Sequence, residues 1–255
     1  MRTANSTIIE KDILIDNVVK ISLKSDLVDL KIRPGQFVNI LIGATGETTL
    51  RRPISVYEID SENKSFTIIF RVEGKGTRLL SEKTVGEEVN ILGPLGNGFP
   101  LDKVQKGQTV ILVGGGIGIP PLYETSKQLK KLGANVIHIL GFNTASDSFL
   151  IENFSELNKT YVSTVDGSFG QKGFVTDVIK RINLDYDYVF ACGPKPMLKA
   201  LENIMDNSKL YLSYEERMAC GIGACFACVC KTKKSETDYK RVCKEGPVFL
   251  AGEVI

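Results

Sequence analysis

Residues 109–142 read TVILVGGGIGIPPLYETSKQLKKLGANVIHILGF, and their order decides the architecture of the second half of the chain. An apolar run at Thr109–Val113 ends in glycines. A stretch of helix formers follows Pro120–Pro121, and Gly133 closes it before a second apolar run at Asn135–Phe142. Strand, glycine turn, helix and strand make a unit of a parallel sheet covered by helices. The pattern continues downstream in FVTDVIKRI (174–182), DYVFACG (187–193), PKPMLKALENIMD (194–206) and KLYLSYE (209–215).

Upstream, from about Ile8 to Leu92, the sequence changes to short β-branched or alternating runs. KISLKS (20–25), GQFVNILIG (35–43), RRPISVYEI (51–59), SFTIIFRV (65–72) and GEEVNILGP (86–94) are separated by Gly, Pro, Asn and Asp. Five or six strands at this spacing predict a small antiparallel barrel. One interruption, EGKGTRLLSEK (73–83), predicts a helix with Thr77 as its N-cap. A Gly/Pro-containing connector near 96–106 separates the barrel from the α/β half. The expected fold is thus an antiparallel β-barrel, a parallel-sheet α/β domain and a small C-terminal arm, with boundaries at 1–100, 101–213 and 214–255.

Composition bounds the function. Hydrophobic residues make up 43% and charged residues 24% of 255, with a formal charge of +2 and the two signs interspersed. That is a soluble globular profile, with no basic surface for nucleic acid and no run near the roughly 20 apolar residues of a membrane helix. The opening MRTANSTIIEKDILIDN has no apolar signal-peptide core. A cytoplasmic location is expected, where thiols stay reduced and a disulfide framework is disfavoured.

Five of the six cysteines lie in the last forty or so residues. The spacing Cys220-x4-Cys225-x2-Cys228, then fourteen residues, then Cys243, matches the plant-type [2Fe–2S] pattern. The small residues GIGA (221–224) let backbone amides approach sulfur, and Cys243 is expected to return from a separate strand as the fourth ligand. A structural zinc site and buried core thiols are the competing readings; zinc sites usually pair two C-x2-4-C hooks, and only one is present. Cys230 is the spare, two residues beyond Cys228 on the same side of a strand, expected in the core with a ligand role as the alternative.

The glycine turn GGGIGIPP (114–121) stands where a nucleotide-binding turn would, with Gly114, Gly115, Gly116 and Gly118 allowing close backbone approach and a helix N-terminus offering free amides. The literal G-x-G-x-x-G fails at Ile119, so a tight turn without a ligand stays open. CGPKPM (192–197) ends a later strand, placing Cys192, Gly193 and Pro194 on the same sheet edge. Cys192 reads equally as a strand-end core residue or as a neighbour of a nicotinamide. NTASDSF (143–149) carries Asp147 and no Arg or Lys, which favours NAD over NADP. His138, the one histidine, lies within an apolar run and reads as structural.

RRPISV (51–56), GKGT (74–77), GGGIGIPP and CGPKPM, in this order, resemble the ferredoxin–NADP reductase superfamily. The resemblance implies an FAD-binding barrel followed by a nicotinamide-binding domain. Carried over, Arg52 pairs with the FAD pyrophosphate, and Pro53, Ile54 and Ser55 line the isoalloxazine, with Ser55 near N5. Ile69, Phe70, Arg71, Gly76 and Thr77 complete the flavin contacts; a solvated strand end is the competing reading of both Arg51 and Arg52, which need not both touch FAD. With ERMACGIGACFACVC (216–230) and RVCKEGPVF (241–249) added, the whole chain resembles the electron-transfer subunits of dihydroorotate dehydrogenase B. That implies FAD, one [2Fe–2S] cluster, NADH as donor, and an FMN-containing catalytic subunit of pyrimidine biosynthesis, in a heterotetramer of two of each. The parts are chemically consistent: a nicotinamide passes two electrons as hydride, a cluster takes one at a time, and a flavin converts between them. A (β/α)8 site for orotate would need about 250 further residues, so electrons are expected to leave for another chain. A sister reductase serving ferredoxin or another flavoprotein shares these motifs, and a redox-silent zinc-containing regulatory subunit is the alternative of a different class.

Overall fold

A computed structural model, described over residues 1–43, 49–233, 235 and 237–254, begins with six strands. They are β1 (Arg2–Ile15), β2 (Val18–Lys24), β3 (Phe37–Leu41), β4 (Arg52–Asp60), β5 (Ser65–Arg71) and β6 (Glu88–Leu95). They close into a barrel in the order β1-β2-β5-β4-β3-β6 with every pairing antiparallel. Alternation drives the closure: Val38 and Ile40 of β3, and Val89 and Ile91 of β6, point into one apolar core with Ile21, Phe66 and Ile68. The first strand starts at Arg2, well before the expected Ile8. Among its positions only Ser6 and Ile8 are buried, so no apolar alternation announced it. It closes the barrel all the same, pairing with β6 over Arg2–Thr7 and with β2 over Thr7–Ile15. Arg51 is a staple across the wall, donating to the carbonyls of Asn39 (3.2 Å) and Asn90 (3.0 Å) and to Asn90 Oδ1 (2.6 Å). It is structural rather than a solvated strand end.

A helix, α1 (Lys75–Glu82), leaves the barrel wall after β5. Its N-cap is Gly74, and Thr77 stands at the third helical position instead of the cap expected for it. From there Thr77 Oγ1 accepts from the backbone N–H of Glu73 (3.0 Å) and Gly74 (3.2 Å), so it seals the helix start by reaching backwards.

The α/β half contains β7 (Thr109–Gly115), α2 (Pro121–Leu132), β8 (Asn135–Phe142), α3 (Ile151–Leu157), β9 (Lys159–Thr164), β10 (Gln171–Lys172), α4 (Val175–Ile182), β11 (Tyr188–Cys192), α5 (Lys195–Ile204) and β12 (Leu210–Ser213). The C-terminal arm adds β13 (Val229–Lys231), β14 (Tyr239–Arg241) and β15 (Val248–Leu250). The large sheet runs β10-β9-β8-β7-β11-β12-β15, parallel throughout except for β15, which adds antiparallel to β12. Neither α3 nor β9 was visible in the sequence; the helix has seven residues and four of the six strand residues are polar. Successive strands step outward from β7 to β10, and the chain then returns to lay β11 on the other side of β7. Such a reversal opens a crevice at the carboxyl ends of the two strands.

The parts are joined by specific contacts. Tyr57 of the barrel stacks on Tyr123 of α2 with ring centroids 4.5 Å apart. Glu124 accepts from the Ile59 N–H (3.0 Å), and Lys127 donates to Glu58 (2.6 Å). Asn97, in the connector, donates from its side chain to the Lys244 and Glu245 carbonyls of the arm (3.1 and 3.0 Å). No described helix is long and apolar enough to cross a membrane.

His138 is fully buried in β8, with Nε2 2.7 Å from Ser126 Oγ, Nδ1 2.9 Å from Thr160 Oγ1, and Phe154 edge-on at 4.9 Å. Burial lowers its pKa from 6.5 to about 4, so the folded protein keeps it neutral where the unfolded chain would protonate it. Its contribution is therefore complete above pH 6.5 and is lost as the pH falls towards 4, a loss of about 3 kcal/mol at most. Chemical-denaturation midpoints at pH 7.5 and pH 5 are expected to lie closer together in His138→Gln than in the wild type. An unchanged gap would mean that His138 does not titrate on unfolding.

Candidate functional site

At the reversal of strand order the two glycine turns touch. A side chain on Gly118 would stand 2.5 Å from the Cys192 carbonyl, and one on Gly115 would stand 2.6 Å from Met197 Sδ. These turns form one end of a crevice of about 670 Å³ lined by Gly115, Gly116, Gly118, Gly193 and Pro194. Gly114 and Cys192 do not line it. Gly114 packs against Ile119 behind the turn, and the Cys192 thiol lies in the core beside Ser213, where burial pushes its pKa upward. The thiol thus sits where the strand-end core reading expects it. The helix that follows offers fewer amides than expected. It starts at Pro121 after Pro120, neither of which has an N–H, and Leu122 and Tyr123 already donate to Ile119 and Pro120 carbonyls. Close backbone approach is left to the 3₁₀ turn Gly116–Gly118. Asn143, Asp147, Ser163, Val165 and Phe174 line the crevice as well. Sequence reasoning singled out only Asp147 of this group; the others come from β9 and from loops that carry no motif.

A second groove, of about 220 Å³, lies on the barrel side. Pro53, Ile54, Ser55, Ile69, Phe70, Arg71 and Thr77 all line it. Arg52 and Gly76 do not, but they pack on each other: a side chain on Gly76 would come within 2.2 Å of Arg52 Nε. The guanidinium is thereby laid along the start of α1, where a diphosphate would find both a cation and a helix N-terminus. Groove and crevice share Arg71, Glu73, Ile117 and Glu215 in their walls. Arg71 Nε is buried there without a hydrogen-bond partner among the described residues, a donor that fits an acceptor on a bound cofactor. Burial, with the nearby Glu73 carboxylate, raises the pKa of Glu215. Glu215 and Ile117 were not among the expected site residues, because nothing in a single sequence marks a side chain shared by two cavities.

The arm presents the cysteines as two pairs. The Cys220 and Cys225 thiols meet at the surface, and those of Cys228 and Cys243 meet in the interior, the last two being 2% and 3% exposed. Backbone amides already face the sulfurs: Ile222 and Cys225 N–H donate to Cys220 Sγ (3.5 and 3.4 Å), Gly223 N–H to Cys243 Sγ (3.1 Å) and Cys243 N–H to Cys228 Sγ (3.4 Å). Gly221 and Gly223 take φ of +71° and +82°, which the curl of the loop requires. Arg241 holds the curl by donating to the Gly223 carbonyl (2.7 Å), pairing with Glu245 and lying 4.9 Å over the Phe226 ring. Two thiol pairs with converging amides fit a two-iron cluster. Cys243 sits in the turn after β14 rather than in a strand. Cys230 is buried and its thiol donates to Glu216 (3.7 Å), so it belongs to the core.

The domain descriptions that match the chain follow this order. Residues 5–99 match the oxidoreductase FAD-binding domain, 112–203 the oxidoreductase NAD-binding domain, and 215–255 the iron–sulfur cluster binding domain of dihydroorotate dehydrogenase B. The electron transfer subunit of dihydroorotate dehydrogenase B (NAD(+)) from Geobacillus sp. (strain WCH70) is 52% identical over 255 residues, covering 100% of this chain and 99% of the relative. The same subunit from Bacillus caldolyticus is 50% identical over 249 residues, covering 98% and 97%. Among solved structures, an NADH-dependent reduced ferredoxin–NADP oxidoreductase involved in flavin-based electron bifurcation superposes with a TM-score of 0.85 at 32% identity, over 99% of this chain and 90% of that one. The cytochrome b5 reductase domain of Ulva prolifera nitrate reductase shares the fold, with a TM-score of 0.67 at 18% identity over 84% and 97%. The chain therefore belongs to the family of electron-transfer subunits of dihydroorotate dehydrogenase B, with FAD-binding, NAD-binding and iron–sulfur-binding domains in that order.

Proposed function

We propose that the chain carries electrons between NAD(H) and the FMN of a dihydroorotate dehydrogenase catalytic subunit, through FAD and a [2Fe–2S] cluster, in pyrimidine biosynthesis. One observation supports this most: the segment Ser213–Cys220 ties the three sites together. Its Glu215 lines both cavities, its Met218 lines the groove, and Cys220 follows two residues later. Functionally the chain divides into 1–100, 101–213 and 214–255.

Each residue then has a task. Arg52, backed by Gly76, would hold the FAD pyrophosphate, while Pro53, Ile54, Ser55, Ile69, Phe70, Arg71 and Thr77 would enclose its ring end. The turns at Gly115–Gly118 and Gly193–Pro194 would hold the nicotinamide dinucleotide, with Gly114 and Cys192 keeping the turns in place. When bound, FAD supplies the conversion between hydride transfer and single electrons. Asp147 in the crevice wall disfavours a 2′-phosphate and so supports NAD, while Lys195 in the same wall is paired with Glu216. Cys220, Cys225, Cys228 and Cys243 would ligate the irons in two pairs. The partner would dock over the loop tip, where Ile222 (44% exposed) and Phe226 (57% exposed) flank the exposed Cys225. A cytoplasmic heterotetramer with two copies of each chain completes the reading.

The similarity to the ferredoxin–NADP oxidoreductase structure favours a second reading, a reductase that serves another electron carrier. The discriminating measurement is orotate-dependent oxidation of NADH by the chain isolated anaerobically with whatever co-purifies. Orotate-dependent turnover is expected, and Cys225→Ser is expected to abolish it while FAD is retained. Reduction of artificial dyes by NADH without any response to orotate would move the assignment to the second reading.

Two variants test the parts. Gly118→Val, pressed against the Cys192 carbonyl, is expected to raise KM for NADH by about tenfold, equivalent to 1.4 kcal/mol, with FAD content unchanged. Phe226→Asp is expected to weaken binding of the catalytic subunit about thirtyfold in an equilibrium titration, as loss of an aromatic anchor at an interface does. Unaltered affinity would place the docking face elsewhere.

A further inference from the structure

Asn39 lies in the middle of β3 and is fully buried, yet among the described residues neither its Nδ2 nor its Oδ1 has a hydrogen-bond partner. A buried amide left this way costs about 1–3 kcal/mol, so its presence calls for an acceptor or donor that the polypeptide does not supply. Its position narrows the search. Asn39 shares a strand face with Phe37, which lines the flavin groove, and it pairs across the barrel wall with Pro53, which lines the same groove. On its other side is the cysteine loop: a side chain built on Gly221 would stand 2.6 Å from Asn39 Nδ2. The residue thus occupies the wall between the flavin groove and the loop that carries Cys220 and Cys225.

Its backbone is fixed from three directions, by strand pairing to Pro53 and Leu92 and by Arg51 donating to its carbonyl at 3.2 Å. The side chain is therefore presented from a rigid strand and not from a loop. Among the described residues the backbone amides that face cysteine sulfurs come from the arm itself. Asn39 is a donor from the barrel, placed against the same loop.

We propose that Asn39 is a positioning residue for the cluster, its Nδ2–H donating to a sulfur of the group that Cys220 and Cys225 hold. The proposal rests on the ligand assignment given above. A donor to sulfur favours the more negative, reduced form of the cluster and raises its reduction potential. It also explains the glycine at 221, since any side chain there would separate the amide from the loop.

The test is a redox titration of the holoprotein, following the electron paramagnetic resonance signal of the reduced cluster and the flavin absorbance in parallel. Asn39→Leu keeps the size of the side chain and removes the donor. Its cluster couple is expected to fall by about 59 mV, a tenfold change for one electron, with the flavin couple unmoved. An unchanged cluster couple in the fully loaded variant, or a shift confined to the flavin, would overturn the proposal. A readout on the wild type covers the case in which the variant fails to load. With asparagine labelled by 15N in the side-chain amide, pulsed resonance of the reduced cluster is expected to show a 15N coupling. A reduced cluster without that coupling overturns the role of Asn39 alone, whereas a wild type with no cluster signal overturns the cysteine assignment and this proposal with it.

Discussion

A single apolar cluster runs from Phe37 and Leu95 in the barrel wall, through Ile139 and Ala191 in the large sheet, to Val242, Cys243 and Phe249 in the arm. Electron transfer between carriers demands fixed separations, and this shared core is how the chain fixes them. The arm could not do so alone. Its own regular structure consists of the two-strand β13–β14 ribbon and the three residues of β15, too little to bury a core of its own. It obtains one by adding β15 to the edge of the parallel sheet and by sinking Cys228 and Cys243 into the same cluster. The buried half of the cysteine site is therefore part of the hydrophobic interior of the whole molecule, and only the Cys225 end reaches solvent.

This arrangement explains an asymmetry in the local chemistry. At the buried end, Gly223 and Cys243 amides face sulfur without competition from water, in surroundings where a hydrogen bond to a developing negative charge is strong. At the exposed end the loop must hold its shape in water, and there the stabilisation comes from Arg241. One guanidinium contacts the Gly223 carbonyl, the Glu245 carboxylate and the Phe226 ring together. Phe226 itself takes φ of +58°, a conformation that a bulky residue adopts only when its surroundings compel it.

Much of this was legible in the sequence, and what was not has identifiable causes. The cysteine spacing, the glycine turns, the apolar runs of β3 and β5 and the alternation in β6 are local patterns, and the structure keeps them. The first strand was misplaced because it faces solvent along most of its length, so its polar Thr-Ala-Asn-Ser run has no periodicity to display. Thr77 was assigned to the cap because a threonine beside glycines is a good cap, but the chain enters the helix three residues earlier at Gly74. The crevice floor was overestimated at Gly114 and Cys192, since a motif includes residues that shape a turn as well as those that line it. Glu215, Ser163 and Phe174 escaped notice because their roles arise from tertiary adjacency alone.

The buried polar atoms that the described residues leave without partners are not scattered. They belong to Arg71, which lines both cavities, to Ser163, which lines the nucleotide crevice, and to Asn39, which abuts the cysteine loop. Native proteins pair nearly all such groups, because each orphan costs about 1–3 kcal/mol. A random distribution would leave some elsewhere on the barrel wall or beneath the helices, where Ser22 finds Thr67 and Glu10, Thr125 finds Pro121, and His138 finds Ser126 and Thr160. Among the described residues the orphaned side-chain atoms thus border the two cavities and the cysteine loop, the places where the proposed function puts nucleotide, flavin and cluster. Those open groups give bound cofactors something specific to complete.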